Sequence, residues 1–531
     1  MRKRLVFLLL IVCCCACTSR KPIELVVLET TDLHGVFEGP MARAANYILQ
    51  MEREHGNKLL LLDCGDLLQG SAEVYFANFV DTNHRHIYAD LLRYLPFTAL
   101  TVGNHDFDLG EKVYDRVYNH CKQPVLCANV IDKATGEPVF QPYAVFKRDG
   151  YKIAVLGMTN SESLSWLSEF KGGAHTFQPI QEVAGKWRDI IYEQEKPDVL
   201  IGLFHTGSAQ SERLNDIYDG NAASWVAENV PGFHLICCGH VHQPMVQQVV
   251  SVTGDTVSLM EGGAGAAFLA QARLQLTPSA TGKTHVKAHL DLINTTSFEK
   301  NEHYEAYIAP FLARAHTYEQ QKVCDLAVPI FSRDALFGAS GWVDLLHRVL
   351  FQAATTGSAK YIGGEVSFAA PASRNLVMYE GPATVKDFIA FYPYENGISI
   401  MEMWGYEIVD YLEYAYALRL EAPDSPAYSF DSAAGILYTV NAKMPRGKRV
   451  HVIEMADGAP FEPNRRYHVV MNTFRARGGG GHLTQGLGWT KDLIYARTLW
   501  DSEKDMRSFL MEYCTLLSPV YAEPMNHWRY L

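Results

Sequence analysis

From Ile23 onward the chain alternates short runs of leucine and β-branched residues with amphipathic stretches of helical period, the pattern of an α/β domain. The runs predict strands at 25–28, 59–62, 99–102, 124–128, 152–156, 199–204 and 235–238, and the amphipathic stretches predict helices at 43–54, 86–95, 183–192 and 222–229. Several of these strands run directly into polar residues of metal-binding type, and open α/β sheets place their ligand sites at such strand ends. The pattern breaks after about Ile293. Asn294-Thr295-Thr296 leads into a helical stretch over 301–321 that is uniformly polar on one side and reads as an interdomain helix or linker. A second domain begins near Val328, with helices at 342–353 and 406–417 and strands at 397–403, 436–440 and 467–471. No repeat of solenoid or propeller period is present in the sequence.

The N-terminus has a different pattern. Arg2, Lys3 and Arg4 precede an apolar stretch over 5–12 and then small residues and cysteines, the order of a secretory leader. The stretch is too short to span a bilayer as a mature helix. Ala16-Cys17, followed by Thr18-Ser19-Arg20-Lys21, is similar to a bacterial lipoprotein cleavage site with Cys17 lipidated, although Cys14 stands where such signals usually have Leu and Cys15 is an alternative. The expectation is an exported chain, periplasmic or anchored to the outer membrane as a lipoprotein, with residues 1–21 as its leader.

Composition narrows the classes. At 531 residues, 48% hydrophobic and 20% charged, the chain is too long for one core, so about two domains are expected. A net charge of −12 and no Lys/Arg-dense run after the leader exclude a groove for a nucleic-acid polymer. Outside the leader, the scattered Cys64, Cys121, Cys127, Cys237, Cys238, Cys324 and Cys514 do not form a disulfide framework. Cys64, Cys237 and Cys238 sit in strand-like runs and read as small buried hydrophobes.

Five clusters carry the chemistry: Asp32-Leu33-His34-Gly35, Gly65-Asp66, Gly103-Asn104-His105-Asp106, Phe204-His205-Thr206-Gly207 and Gly239-His240-Val241-His242. Each lies at or just beyond a predicted strand end. In an extended segment, Asp-x-His and His-x-His put both side chains on one side. Oxygen and imidazole donors without thiolates suit Mn, Zn, Fe, Co or Ni in a mixed site. One carboxylate has two oxygens and so bridges two cations about 3.5–4 Å apart, the separation used for in-line displacement at phosphorus. Two divalent ions would outweigh Asp32 and Asp66 and leave a positive site for a phosphate dianion.

Taken singly, each cluster is more often a turn, a cap or a surface feature. Five in this order resemble the calcineurin-like metallophosphoesterase family. The longer strings Thr30-Thr31-Asp32-Leu33-His34-Gly35, Gly65-Asp66-Leu67-Leu68-Gln69-Gly70-Ser71 and Gly103-Asn104-His105-Asp106-Phe107-Asp108 are similar to its 5′-nucleotidase branch, which includes UDP-sugar hydrolases and 2′,3′-cyclic-nucleotide phosphodiesterases. The resemblance implies an N-terminal four-layer α/β/β/α metallophosphoesterase sandwich over 22–293, an interdomain helix over 294–327 and a C-terminal α/β 5′-nucleotidase-type substrate domain over 328–531. It implies two divalent metal ions, one held by Asp32, His34, Asp66 and His242 and the other by Asp66, Asn104, His205 and His240. His105 becomes the transition-state stabiliser or leaving-group acid, with Asp108 orienting its imidazole. Asp106 reads as structural. His84 and His86, entering a helix, read as solvated or capping residues, and His234 stands where relatives often have Asp.

In such a family the C-terminal domain stacks the nucleobase between aromatic rings, worth about 1–3 kcal/mol per base. Phe474 matches the second ring. Phe430 is the expected first ring, with Tyr428 its competitor, and core positions are the alternative for both Phe residues. Asn472 and Arg374 are the further substrate-binding candidates, although the Asn-Gly-Gly-x-Arg pattern of relatives is absent around Arg374. Gly478–481 is not a phosphate P-loop, since no Gly-Lys-Ser/Thr follows it. The leading expectation is a nucleotidase acting on nucleoside monophosphates or 2′,3′-cyclic nucleotides, with a small-molecule nucleotide as partner and no protein partner. The alternatives are a phosphatase or diphosphatase for other esters or nucleotide sugars, and a non-catalytic binding protein on the same fold. The resemblance also implies a rotation of the C-terminal domain that carries substrate to the metals.

Overall fold

The computed structural model describes residues 20–107, 110–161, 174–208, 220–279 and 283–531. Its N-terminal half is built on two six-stranded sheets. The first runs Thr284–Asn294, Phe268–Pro278, Ile23–Thr30, Leu59–Asp63, Phe97–Thr101, Val125–Leu126 in spatial order; the second runs Met245–Val250, Thr256–Glu261, Leu235–Cys237, Val199–His205, Tyr151–Thr159, Tyr143–Arg148. The central strands pair in parallel, Ile23–Thr30 with Leu59–Asp63 and Tyr151–Thr159 with Val199–His205. Their centres are near-continuous apolar runs because both faces are covered, and the polar residues fall mainly toward their ends. In Ile23–Thr30, Leu25 and Val27 point between the sheets, where they meet Leu60, Leu62, Ile153, Val155, Ile201 and Leu203. Val26 and Leu28 point outward into the core under the helix Pro40–His55. The helices Ile180–Gln194 and Ala222–Asn229 cover the outer face of the second sheet. The result is the expected α/β/β/α sandwich.

The helix Glu302–Glu319 turns Tyr304, Ile308, Phe311, Leu312 and Ala315 into the core of the first sheet's outer layer. It is therefore packed along the N-terminal half and not suspended between domains. Beyond it, a five-stranded sheet runs Ser432–Ala434, Val366–Ala369, Arg466–Asn472, Ile398–Trp404, Thr498–Asp501, and a three-stranded sheet runs Val450–Met455, Ile436–Val440, Trp528–Tyr530. The helix Gly341–Ala353 covers one side of the larger sheet and Gly405–Glu421 the other. Ser340 opens the first of these helices by accepting a hydrogen bond from the Val343 N–H at 3.3 Å.

Candidate active site

The ends of the parallel strands bring the five sequence clusters together. Asp32 follows Ile23–Thr30, Asp66 follows Leu59–Asp63, Asn104 follows Phe97–Thr101, His205 ends Val199–His205, and His240 and His242 follow Leu235–Cys237. Each chain segment must leave its strand and turn a donor back over the sheet within two or three residues. That turn is made with left-handed backbone: Asp32 (φ 50°), His34 (46°), Asp66 (59°), His240 (79°) and His242 (60°) are five of the ten non-glycine residues with positive φ among the described residues. Such conformations are disfavoured for side-chain-bearing residues and cluster at functional sites. Glycines serve the close approach: a Cβ on Gly103 would lie 2.0 Å from Asp66 Oδ1.

The frame behind the donors is made of hydrogen bonds. Asp106 accepts from the backbone N–H groups of Asp66, Leu67, Leu68 and Gly103 at 2.8–3.1 Å, so it clamps two motif loops together. This is the structural role read from the sequence. The N–H of His105 donates to Asp66 Oδ1 at 2.8 Å. Asn160 donates to Asn104 Oδ1 at 3.0 Å, a contribution that no sequence motif signalled.

Asp32 and Asp66 are fully buried, yet the side-chain atoms around them are mostly acceptors. His34 Nδ1 lies 2.7 Å from the Gln69 carbonyl and His205 Nδ1 2.7 Å from the Cys64 carbonyl. A carbonyl only accepts, so each Nδ1 carries the proton and each neutral ring turns an Nε2 lone pair inward. His34 Nε2 then faces His242 Nε2 at 3.1 Å, His242 Nε2 faces Asp32 Oδ1 at 3.2 Å, and His205 Nε2 faces Asp66 Oδ2 at 3.1 Å and Asn104 Oδ1 at 3.1 Å. Asp32, His34 and His242 form one group of convergent donors, and Asp32, Asp66 and His205 another. Asp66 Oδ2 is buried without a hydrogen bond. Lone pairs aimed at one another from buried Asp32, Asp66 and His205 and from the more open His34 and His242 call for a cation between them, so the donor set fits metal ions. Without one, protons take that place: burial would lower the His205 pKa, but Asp66 and Asp32 overcome it and raise it to about 10. His240, buried beside His205 with ring centroids 5.6 Å apart, is held down to about 4 by burial and by the charge of His205.

Two further carboxylates, Glu29 and Glu261, are buried behind this cluster, where burial raises both pKa values, Glu261 to about 8. They accept from the N–H groups of Gly262 and Gln243, the latter leading out of the His240–His242 turn. Their lone acidic positions within apolar strands were the signal available in the sequence.

A cavity of about 310 Å³ opens beside the cluster and is lined from both halves of the chain: Gln69 and His105 from the first, Tyr392, Tyr394, Tyr428 and Phe474 among those from the second. Its size falls in the range of small-ligand sites. Phe474 and Asn472 lie on its wall; Asn472 also caps the helix Thr473–Ala476 by accepting from the Arg475 N–H at 2.8 Å. Phe430 does not reach the cavity. It is buried under the guanidinium groups of Arg374 and Arg419, and Tyr428 takes the wall position, its ring 6.1 Å from Phe474 and edge-on to it. Arg374 is likewise off the wall, because it donates to the carbonyls of Pro423 and Ser425. Tyr392-Pro393-Tyr394-Glu395-Asn396-Gly397, aromatic and polar residues just before the strand Ile398–Trp404, supply a wall the sequence reading passed over. Asp108, the expected partner of the His105 imidazole, lies outside the described residues.

Residues 25–244 match the calcineurin-like phosphoesterase model, and residues 295–486 match the model of the 5′-nucleotidase C-terminal domain. Among curated relatives, a 5′-nucleotidase of Vibrio cholerae is 25% identical over 87% of this chain and 86% of its own length. The protein UshA of Escherichia coli is 23% identical over 87% of each chain. Among solved structures, a 5′-nucleotidase precursor from Thermus thermophilus superposes with a TM-score of 0.62 at 20% identity, covering 96% of this chain and 99% of that one. The NAD nucleotidase of Haemophilus influenzae gives 0.59 at 18% identity and covers 96% and 99%.

Proposed function

Because this chain belongs to the calcineurin-like phosphoesterases and carries a 5′-nucleotidase C-terminal domain, we propose that it is a metal-dependent hydrolase of nucleotides, one that releases phosphate from nucleoside 5′-monophosphates or opens 2′,3′-cyclic nucleotides to monoesters. The observation that carries the reading is the shared cavity: His105, beside the donor cluster, and Phe474 and Tyr428, ring faces for a base, line the same space.

Asp32, His34, Asp66 and His242 would hold one divalent ion, and Asp66, Asn104, His205 and His240 the second. When bound, the two ions supply Lewis acidity toward phosphoryl oxygens and acidify a water so that it attacks at neutral pH. The chain's own residues do the rest. The backbone bonds to Asp106 and the carbonyl contacts of Gln69 and Cys64 hold donors in place before substrate arrives, which lowers the reorganisation needed in the transition state. His105, on the cavity wall, would give a proton to the departing ribose oxygen or hydrogen-bond a phosphoryl oxygen as charge builds there. Phe474 and Tyr428 meet edge to face, so a base stacks on one ring face or displaces one ring to lie between them. The leader-like N-terminus supports export, with Cys17 as the proposed point of lipid attachment; among the described residues no helix is long and apolar enough to cross a membrane.

The test is hydrolysis of AMP, UMP, 2′,3′-cyclic AMP, UDP-glucose and an aryl phosphate, with added Mn and with chelator, read as released phosphate for the monoesters and as chromatographically resolved products for the others. Chelator-sensitive preference for a nucleotide is the expected result. Equal turnover of the aryl phosphate and every nucleotide would remove the nucleotide assignment and leave a general phosphoesterase.

A further inference from the structure

The C-terminal domain holds a second group of metal-type donors made of entirely different residues. Asp344 and His347 are three apart on the helix Gly341–Ala353 and so share one face. That face is buried against the end of the chain, where His527 precedes the strand Trp528–Tyr530. Asp344, His347 and His527 are 1%, 0% and 4% exposed. One donor atom from each lies within 4.8 Å of the others. Asp344 Oδ1 is 3.5 Å from His527 Nδ1, and the two imidazole rings cross at 87° with centroids 5.5 Å apart.

The group is incomplete as a hydrogen-bond network. Asp344 Oδ2 accepts from the Met525 N–H at 2.7 Å, but Asp344 Oδ1 is buried without a hydrogen bond, and the buried ring nitrogens of His527 have no well-formed bond, their nearest backbone partner being Ala433. Buried polar atoms in native proteins are nearly always satisfied, by protein, water or an ion. His347 is braced on both sides by hydroxyls, Ser367 Oγ at 2.8 Å from Nδ1 and Ser432 Oγ at 3.3 Å from Nε2. A serine can accept from the protonated nitrogen while the other keeps its lone pair, which is how imidazoles are oriented toward metals. Donors around a tetrahedral zinc with bonds of about 2.0–2.2 Å lie about 3.5 Å apart, the separation of Asp344 Oδ1 and His527 Nδ1, and binding would draw His347 in from a spacing within 4.8 Å.

We propose that Asp344, His347 and His527 form a structural site for one divalent transition-metal ion of the zinc type, with the Ser432 hydroxyl or a water as the fourth donor. Two imidazoles and one carboxylate are a donor set for zinc and its neighbours, not for calcium or magnesium. The ion ties the chain end to the helix Gly341–Ala353 and, through Ser367 and Ser432, to the two strands Val366–Ala369 and Ser432–Ala434. Ala370, which follows the first of these strands, and Tyr428, in the turn that leads to the second, line the substrate cavity. The site therefore stiffens the wall on which the base would stack without contacting substrate.

The experiment removes the two carboxylates of the N-terminal cluster and counts what remains. In the Asp32→Ala/Asp66→Ala chain, dialysed with excess zinc and then against buffer, elemental analysis is expected to find bound zinc, and adding His527→Asn or His347→Gln is expected to lower the count by one per chain. X-ray absorption on the one-zinc form is expected to show two imidazoles, oxygen and no sulfur. A zinc-free double-variant chain with native circular dichroism overturns the site, as does an unchanged count on His527→Asn. If the His527 and His347 variants fail to fold, the absorption spectrum of the double variant decides alone, and a shell with sulfur or without imidazole overturns the proposal.

Discussion

At Asp106, one carboxylate satisfies four backbone N–H groups of the two loops that carry Asp66 and Asn104. Asp106→Ala leaves those donors buried and unpaired, so urea unfolding of the metal-free chain is expected to show a loss of about 3 kcal/mol. Asp66→Ala acts differently. It removes a carboxylate aimed into the cluster that accepts from the His105 N–H and faces His205 Nε2 at 3.1 Å, and we expect loss of bound metal with turnover down by more than about a hundredfold. Phe474→Ala removes a stacking face worth about 1–3 kcal/mol, which raises KM for a nucleotide by about 5–150-fold and leaves hydrolysis of a plain aryl phosphate unaltered. Equal effects on both substrates would show that Phe474 is a packing residue. At this scale the sequence was most legible where motif and geometry coincide, as for Asp32, His34, Asp66, His205 and His242, because strand-end position alone brings them together. Phe430 was not legible: a ring two residues from Tyr428 looks equivalent in sequence, and only the position of Arg374 and Arg419 over it decides which one is core.

Elements carry a second kind of dependence. The segment with Tyr428 and the Gly478–481 turn are joined by Arg475, whose buried guanidinium donates to the carbonyls of Tyr428 and Gly479 and pairs with Asp431 at 2.7 Å. Burial alone would raise the Asp431 pKa, but Arg475 outweighs it and holds the carboxyl below the usual range. A depressed carboxylate contributes stability that is present above its unfolded value and lost as pH falls through its folded one. Acid unfolding should therefore lose a contribution below about pH 4 that Asp431→Asn abolishes, measured as a flatter stability curve in that window. Arg475→Lys is expected to weaken nucleotide binding without touching the metals, since an ammonium cannot span the three acceptors as a planar fork does. The parallel strands were legible because both of their faces are buried and their centres are near-continuous apolar runs. The long antiparallel pair Phe268–Pro278 and Thr284–Asn294 was passed over although Val286, Ala288, Leu290 and Leu292 alternate with polar residues. One solvated face gives that strand a weaker apolar signal than its neighbours.

For the whole molecule, the cavity joins halves that fold around separate cores. Direct contact is made by Tyr75, whose hydroxyl lies 3.0 Å from Ser508 Oγ and whose ring lies under the guanidinium of Arg507. If the C-terminal half swings to exchange substrate and product, a disulfide engineered across this face stops multiple turnover, leaves metal content intact and is reversed by reductant; undiminished turnover in the oxidised form would exclude the swing. The division into two large units was legible in the break after Ile293. The packing of Glu302–Glu319 onto the first unit was not, since Ala306, Tyr307, Ala309, Pro310 and Ala313 on its exposed side blur the contrast between its two faces.

The left-handed turns at the donor residues bear on how this protein tolerates change. Asparagine is the residue other than glycine that adopts positive φ most readily, and it offers an oxygen donor of the size of aspartate. In a saturating library, Asn should thus be the most frequent survivor at Asp32 and Asp66, while β-branched residues vanish from all five positions, including those where a polar hydroxyl would preserve the chemistry. Each of these sites is filtered twice, by what its side chain binds and by how its backbone must bend, and a lineage drifting toward a new metal would change the donors it keeps within that narrow alphabet.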